Sequence, residues 1–254
     1  MLVENGQWIM RGLAWDDPYR IRTWKELVNW VNEVGFLPLF SNEVEGFSAE
    51  EHVSPDYWWT GVREEDPWEW REIIASSHEV AYGKFFDKKA GFISREWLPY
   101  FANSRRCGYD FDALWEDGKA SRRAKKIMDF FWEEADGDTV CKDVYILSTD
   151  LKKQAGFGKG GEKNYPGILT DLQMQTYLVL SDFTRRQNKR GEEYGMAVSV
   201  PLPPEAIWGA DLVRSAYSEK PSASWERLIG RVKELYPAAE EADIIRLIGR
   251  RPEE

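Results

Sequence analysis

Three groups of residues carry the chemistry this sequence can support. In the first, Trp58, Trp59, Trp68 and Trp70 lie close together around Arg63 and Arg71. Indole and guanidinium groups together stack a nucleobase or grip a cation, which makes Trp68, Trp70 and Arg71 candidates for base stacking. The same rings can staple helices, and packing is the favoured use, since large rings supply much of the buried area of a chain this size. The second group is Arg185-Arg186-Gln187-Asn188-Lys189-Arg190-Gly191, where four of seven side chains are cationic and none is acidic. Such a segment is suited to phosphates, although polar loop tips also serve only to keep sheets solvated. The third is Glu64-Glu65-Asp66. These carboxylates could hold a metal or move a proton, but a solvated acidic loop ending in a helix cap is favoured.

Other chemistries are excluded by what is missing. Gly156-Phe157-Gly158-Lys159-Gly160-Gly161 lacks the ending of a phosphate-binding loop and follows no strand pattern, so it reads as a turn. Two cysteines and two histidines make neither a disulfide framework nor a zinc centre, so no metal and no cofactor is expected. A chain of 254 residues, 43% hydrophobic and 31% charged, can build a real core in one or two domains. No run of about 18 apolar residues predicts a membrane span. No secretory signal pattern is visible, and a cytoplasmic setting is expected.

The net charge of -10 rules out a uniformly basic nucleic-acid coat. Its distribution is uneven. Residues 1–75 carry six Lys and Arg against fifteen Asp and Glu, residues 81–130 eleven against seven, and residues 140–195 nine against seven. An acidic chain therefore has a basic middle, which can still meet a polyanion or can form ordinary solvated helix faces.

The elements that must position these groups follow from periodicity and caps. Helical spacing is predicted over 22–34, with Thr23 as N-cap and Gly35 as stop. Asp66-Pro67 starts a second helix. Two β-rich runs, 80–86 and 92–94, flank a polar turn at 87–91 and predict a hairpin. A helix over 94–106 is capped by Ser94. Helices are then predicted over 121–134, broken by Asp136-Gly137-Asp138, over 149–155, and over 163–174. Strands 176–180 and 194–200 flank the basic loop 184–191, and 210–248 is helical again. Helix, helix, turn, helix, strand, basic loop, strand is the order of a winged helix-turn-helix. Lys163, Asn164 and Thr170 would then enter a DNA groove, with Lys159 also in contact with DNA and Arg185, Arg186, Lys189 and Arg190 on its backbone. The fold class is α+β, predominantly α, with winged helix-turn-helix units and flanking helices. The divisions are 1–120, 121–206 and 207–254, and a degenerate winged helix within 1–120 is left open.

The segments Trp58-Trp59-Thr60, Asp66-Pro67-Trp68-Glu69-Trp70-Arg71, Tyr82-Gly83-Lys84-Phe85-Phe86, Lys89-Ala90-Gly91-Phe92-Ile93-Ser94, Gly108-Tyr109-Asp110-Phe111, Leu172-Gln173-Met174-Gln175 and Tyr194-Gly195 resemble AlkZ-related proteins. The resemblance covers roughly residues 24–208 and extends more distantly to the AlkZ/YcaQ DNA glycosylases. It implies tandem winged helices that excise bulky or crosslinked alkylated purines, with a Gln-apolar-Gln or Gln-apolar-Asp motif beside the lesion. By that resemblance Gln173 and Gln175 are the catalytic candidates, holding the attacking water and polarising the departing nucleoside. An amide positions water but is a poor general base, so a cationic, labile base is the natural substrate of such a pair. A hydrogen-bonding role at a helix end is the alternative. The expected partner is double-stranded DNA, in a nucleic-acid-binding protein with a place in DNA repair. If it is an enzyme, it is a DNA glycosylase. The competing reading is a non-catalytic winged-helix module that binds protein or regulates.

Overall fold

The computed structural model of the chain describes residues 2–4, 6–135, 138–142 and 144–253, and the side chains of 2–4, 7, 8, 134, 135, 138, 139 and 186 lie outside the description. A short hairpin of β1 (Leu2–Glu4) and β2 (Gln7–Ile9) precedes α1 (Trp24–Val34). As expected, Thr23 caps α1, its hydroxyl accepting from the Glu26 N–H at 3.2 Å. Gly35 ends α1 at φ 98°, where a side chain would strike the Trp97 indole at 2.7 Å. Strand β3 (Phe36–Pro38) follows directly.

Helix α2 (Pro67–Ser77) begins where Asp66-Pro67 predicts it. Strands β4 (Val80–Phe86) and β5 (Lys89–Ser94) form the expected hairpin. Its turn is tighter than the sequence indicated: Asp87 and Lys88 alone make it, both at positive φ, 47° and 63°. The sheet order is β3-β5-β4, all antiparallel, and β4 is bulged between Gly83 and Phe86. Helix α3 (Leu98–Arg106) starts later than expected. Ser94 stays in β5, its N–H donating to the Gly35 carbonyl at 2.8 Å, so the helix waits for Pro99 in its first turn.

After α4 (Phe111–Glu116), helix α5 (Arg122–Met128) carries the expected Ser121 cap, with the Ala124 N–H donating to Ser121 Oγ at 3.1 Å. It ends six residues earlier than periodicity indicated. Trp132 to Cys141 instead pair as β6 (Trp132–Ala135) and β7 (Asp138–Cys141), in the register Trp132↔Cys141. An Asp-Gly between short β-forming runs is a hairpin signal that outweighs the helical pattern. Asp136 and Gly137 themselves lie outside the described residues.

The expected helices follow as α6 (Ser148–Gln154) and α7 (Tyr165–Met174). Strands β8 (Val179–Gln187) and β9 (Glu193–Leu202) absorb much of the basic segment expected to be loop, leaving the turn to residues 188–192. The chain finishes with α8 (Pro204–Trp208), α9 (Ala210–Val213), α10 (Pro221–Leu235) and α11 (Glu241–Ile248). Helix makes up 42% and strand 17%, so helix outweighs the small antiparallel sheets. Among the described residues no helix is long and apolar enough to cross a membrane.

Two cores organise these elements. The first is aromatic: Phe36, Phe47, Phe86, Phe92 and Phe101 are fully buried, with the Phe36 and Phe101 rings edge-on at 4.9 Å. Leu228, Val232, Ile244 and Leu247 of α10 and α11 pack into it, so the segment 207–254 completes the N-terminal core rather than standing beside it. The second core holds Phe111, Ile127, Phe131, Leu151, Leu172, Tyr177 and Leu202, from α4 to the root of the β8–β9 hairpin. Among the described residues between Arg106 and Glu205, the hydrophobics that reach the first core are Val179, Leu180 and Phe183 of β8, and Arg106 and Glu205 themselves form a buried ion pair, 1% and 3% exposed.

Candidate functional site

Helix α2 is anchored at its start by one carboxylate. Asp66 Oδ1 accepts from the Trp68 N–H at 2.8 Å and Oδ2 from the Gly61 N–H at 3.0 Å. Trp68 and Arg71, three residues apart, therefore share a face. The Arg71 guanidinium lies 3.9 Å from the Trp68 ring centroid and 4.8 Å from that of Phe183 on β8. Arg71 is only 8% exposed, and its Nη2 donates to Glu72 Oε1 at 2.9 Å. Phe40, Trp68, Arg71, Tyr82 and Phe183 wall a cavity of about 510 Å³. Trp70 is not part of it. It is 1% exposed in the first core, and its indole N–H donates to the Glu64 carbonyl at 3.0 Å.

The rim of this cavity is basic. Lys84, Lys88 and Lys89, all exposed, line it from the β4–β5 hairpin. Among the described residues none of the three has an ion-pair partner, though the Lys84 ammonium lies 3.5 Å from Thr170 Oγ1. Thr170 is buried against β4, so it faces the protein and not a groove. The bulge that turns Lys84 outward is held by Gln173. Its Oε1 accepts the Lys84 N–H at 3.0 Å, and its Nε2 donates to the Leu169 carbonyl at 3.0 Å. Met174 adds its sulfur as acceptor for the Lys88 N–H at 3.2 Å. The end of α7 is thus bonded to the back of the hairpin that carries the lysines.

The two glutamines are not brought together. Gln173 is 2% exposed with both amide atoms engaged. Gln175 is exposed and faces a different, larger cavity of about 830 Å³, with Arg105, Arg106, Lys119 and Tyr177. Size does not make that second cavity the better site. Arg105 donates to the carbonyls of Met174, Phe85 and Ile248, and Arg106 is taken up by Glu205 and the Thr176 carbonyl.

The remaining basic residues divide in the same way. Arg185 donates to both carboxylate oxygens of Glu69 on α2, at 2.7 and 3.0 Å, which fastens the hairpin to the wall of the smaller cavity. Lys189 and Arg190 are exposed in the turn, while the Arg186 side chain lies outside the described residues. Lys159, Lys163 and Asn164 are exposed on the approach to α7. Among the described residues no group of three or more His, Cys, Asp and Glu is placed to hold a metal.

The model of the AlkZ-related family matches residues 21–249. The chain belongs to that family. No curated protein and no solved structure matches it. In this AlkZ-related chain, sequence reasoning reached Trp68 and Arg71 but missed Phe40, Tyr82 and Phe183, and also the lysine rim. The one signal for the rim was the basic balance of residues 81–130. It also missed a polar latch beside the site, where Asp182 accepts from Ser76 Oγ at 2.5 Å and from the Tyr145 hydroxyl at 3.0 Å.

Burial raises the Glu72 carboxyl above the ordinary range, against the pull of Arg71. A raised acid favours the folded state while protonated, and that contribution is lost as pH rises through the folded value. Unfolding by urea should therefore show native stability falling relative to Glu72→Gln as pH rises above about 4, the range where the unfolded carboxyl ionises. Parallel pH curves for the two proteins would show that Glu72 is not desolvated.

Proposed function

We propose that this AlkZ-related protein binds DNA and receives an extruded base in the cavity walled by Trp68, Arg71 and Phe183. The observation that carries the reading is the Arg71 guanidinium held between two aromatic rings, under a rim of three lysines without ion-pair partners among the described residues. Aromatic and guanidinium planes stack bases of any sequence, and lysines beside them hold the backbone. Family membership supports the reading through its relation to glycosylase-like proteins. The order α5, β6, β7, α6, α7, β8, β9, in which three helices interrupted by one hairpin precede a second hairpin, supports a winged helix, with Lys163 and Asn164 at the groove and Lys189 and Arg190 on the phosphates. The proposed activity stops at binding, because Gln173 and Gln175 point to different places.

The test is titration of a fluorescent DNA duplex with the full chain across a salt series. The expected result is binding whose log K falls steeply with log salt. The triple change Lys84→Ala, Lys88→Ala, Lys89→Ala should weaken it, and the slope should shrink by about 1 for each phosphate no longer neutralised. The pair Lys189→Ala, Arg190→Ala should act likewise if the hairpin turn touches the backbone. Absence of binding at low salt would overturn the reading, and an unchanged triple variant would remove the cavity from it.

A further inference from the structure

We infer that the Trp68–Arg71 cavity selects an uncharged nucleobase together with its phosphate and rejects a cationic, alkylated one. This rests on the base-receiving reading above and specifies its ligand.

Charge decides the selection. A cationic base is held by the faces of electron-rich rings. Here the Trp68 face already carries a guanidinium at 3.9 Å, and Phe183 shares the same cation at 4.8 Å. Arg71 is paired with Glu72, and among the described residues its buried Nε has no hydrogen-bond partner. The carboxylates nearest the wall are committed, Glu72 to Arg71 and Glu69 to Arg185. Lys84, Lys88 and Lys89 add positive charge at the mouth. With both arginines paired to carboxylates, the excess charge a second cation meets is that of the three lysines, a repulsion worth about tenfold in affinity at the effective dielectric of a protein. The same field attracts a phosphate. Neutral hydroxyls of Ser148, Thr149 and Ser199 line the cavity and offer donors and acceptors to the edge of an uncharged base.

The experiment is calorimetric titration of the full-length chain with guanosine, GMP and N7-methyl-GMP. GMP is expected to bind. Guanosine, lacking the phosphate, and N7-methyl-GMP, carrying the cationic base, are each expected to bind about tenfold or more weakly. Lys88→Ala with Lys89→Ala, both exposed and so free to change without disturbing the core, should bring GMP down to the level of guanosine. N7-methyl-GMP binding as tightly as GMP would overturn the inference and leave the base-receiving reading standing. Guanosine binding as tightly as GMP would overturn its phosphate half. Failure of all three to bind would overturn both the inference and the reading beneath it.

Discussion

Arg106→Met is expected to lower the free energy of unfolding by about 3–5 kcal/mol, the cost of leaving one partner of a buried ion pair uncompensated. The change strands Glu205, whose carboxylate is 3% exposed. It also removes the donor to the Thr176 carbonyl at 2.6 Å and the cation 4.6 Å over the Tyr177 ring. Burial opposes the charged form of Arg106, yet the adjacent Glu205 outweighs that effect and holds the guanidinium above its ordinary value. Urea denaturation of Arg106→Met beside Arg106→Met/Glu205→Leu separates the two contributions. The double variant should recover much of the loss, because an apolar pair of similar volume needs no compensation. A loss below about 1 kcal/mol in the single variant would mean that the pair behaves as a solvated surface contact.

Gln173→Ala is expected to cost about 2–3 kcal/mol, the penalty for a buried amide's two hydrogen bonds and the space it fills. Gln175→Ala should stay within about 0.5 kcal/mol, since its side chain is exposed. The pair is a direct comparison of two residues that look alike in sequence. Equal small effects would show that α7 is not fastened to the β4 bulge through Gln173. Gln173→Glu serves as a second probe: it retains the acceptor for the Lys84 N–H but places a charge where exposure is 2%. It should destabilise more at pH 7 than at low pH, because burial disfavours the ionised form.

What the sequence made legible was mostly local. Thr23 and Asp66-Pro67 specify helix starts through hydrogen bonds within three residues. The hairpin over 80–94 follows from two β-rich runs and a polar turn. Trp68 and Arg71 fall on one face because helical spacing puts them there. Their completion by Phe40 and Phe183 depends on packing between remote segments, which no spacing encodes. The basic run at 185–190 showed its charge but not its commitments, since nothing near Arg185 in sequence points to Glu69. The match of Gln173-Met174-Gln175 to a motif carried no information on direction, and α7 turns the first glutamine inward and the third residue outward. The missed β6–β7 hairpin is a case of two competing local signals, in which a helical stripe obscured an Asp-Gly pair in the sequence between two strand-forming runs.

The ion pair at Arg106 and Glu205 marks the neck of a long excursion: most of the chain between them builds the second core, and β8 alone reaches back to the first through Val179, Leu180 and Phe183 among the described residues. During synthesis the sheet and α3 emerge from the ribosome long before α10 and α11, the helices that cover them. At about 5–20 residues per second, the roughly one hundred intervening residues take on the order of 5–20 s. For that interval the aromatic core lacks the cover of α10 and α11. The nascent chain therefore carries an uncovered aromatic surface while its middle is made, and both partners of the neck pair are synthesised before that cover arrives.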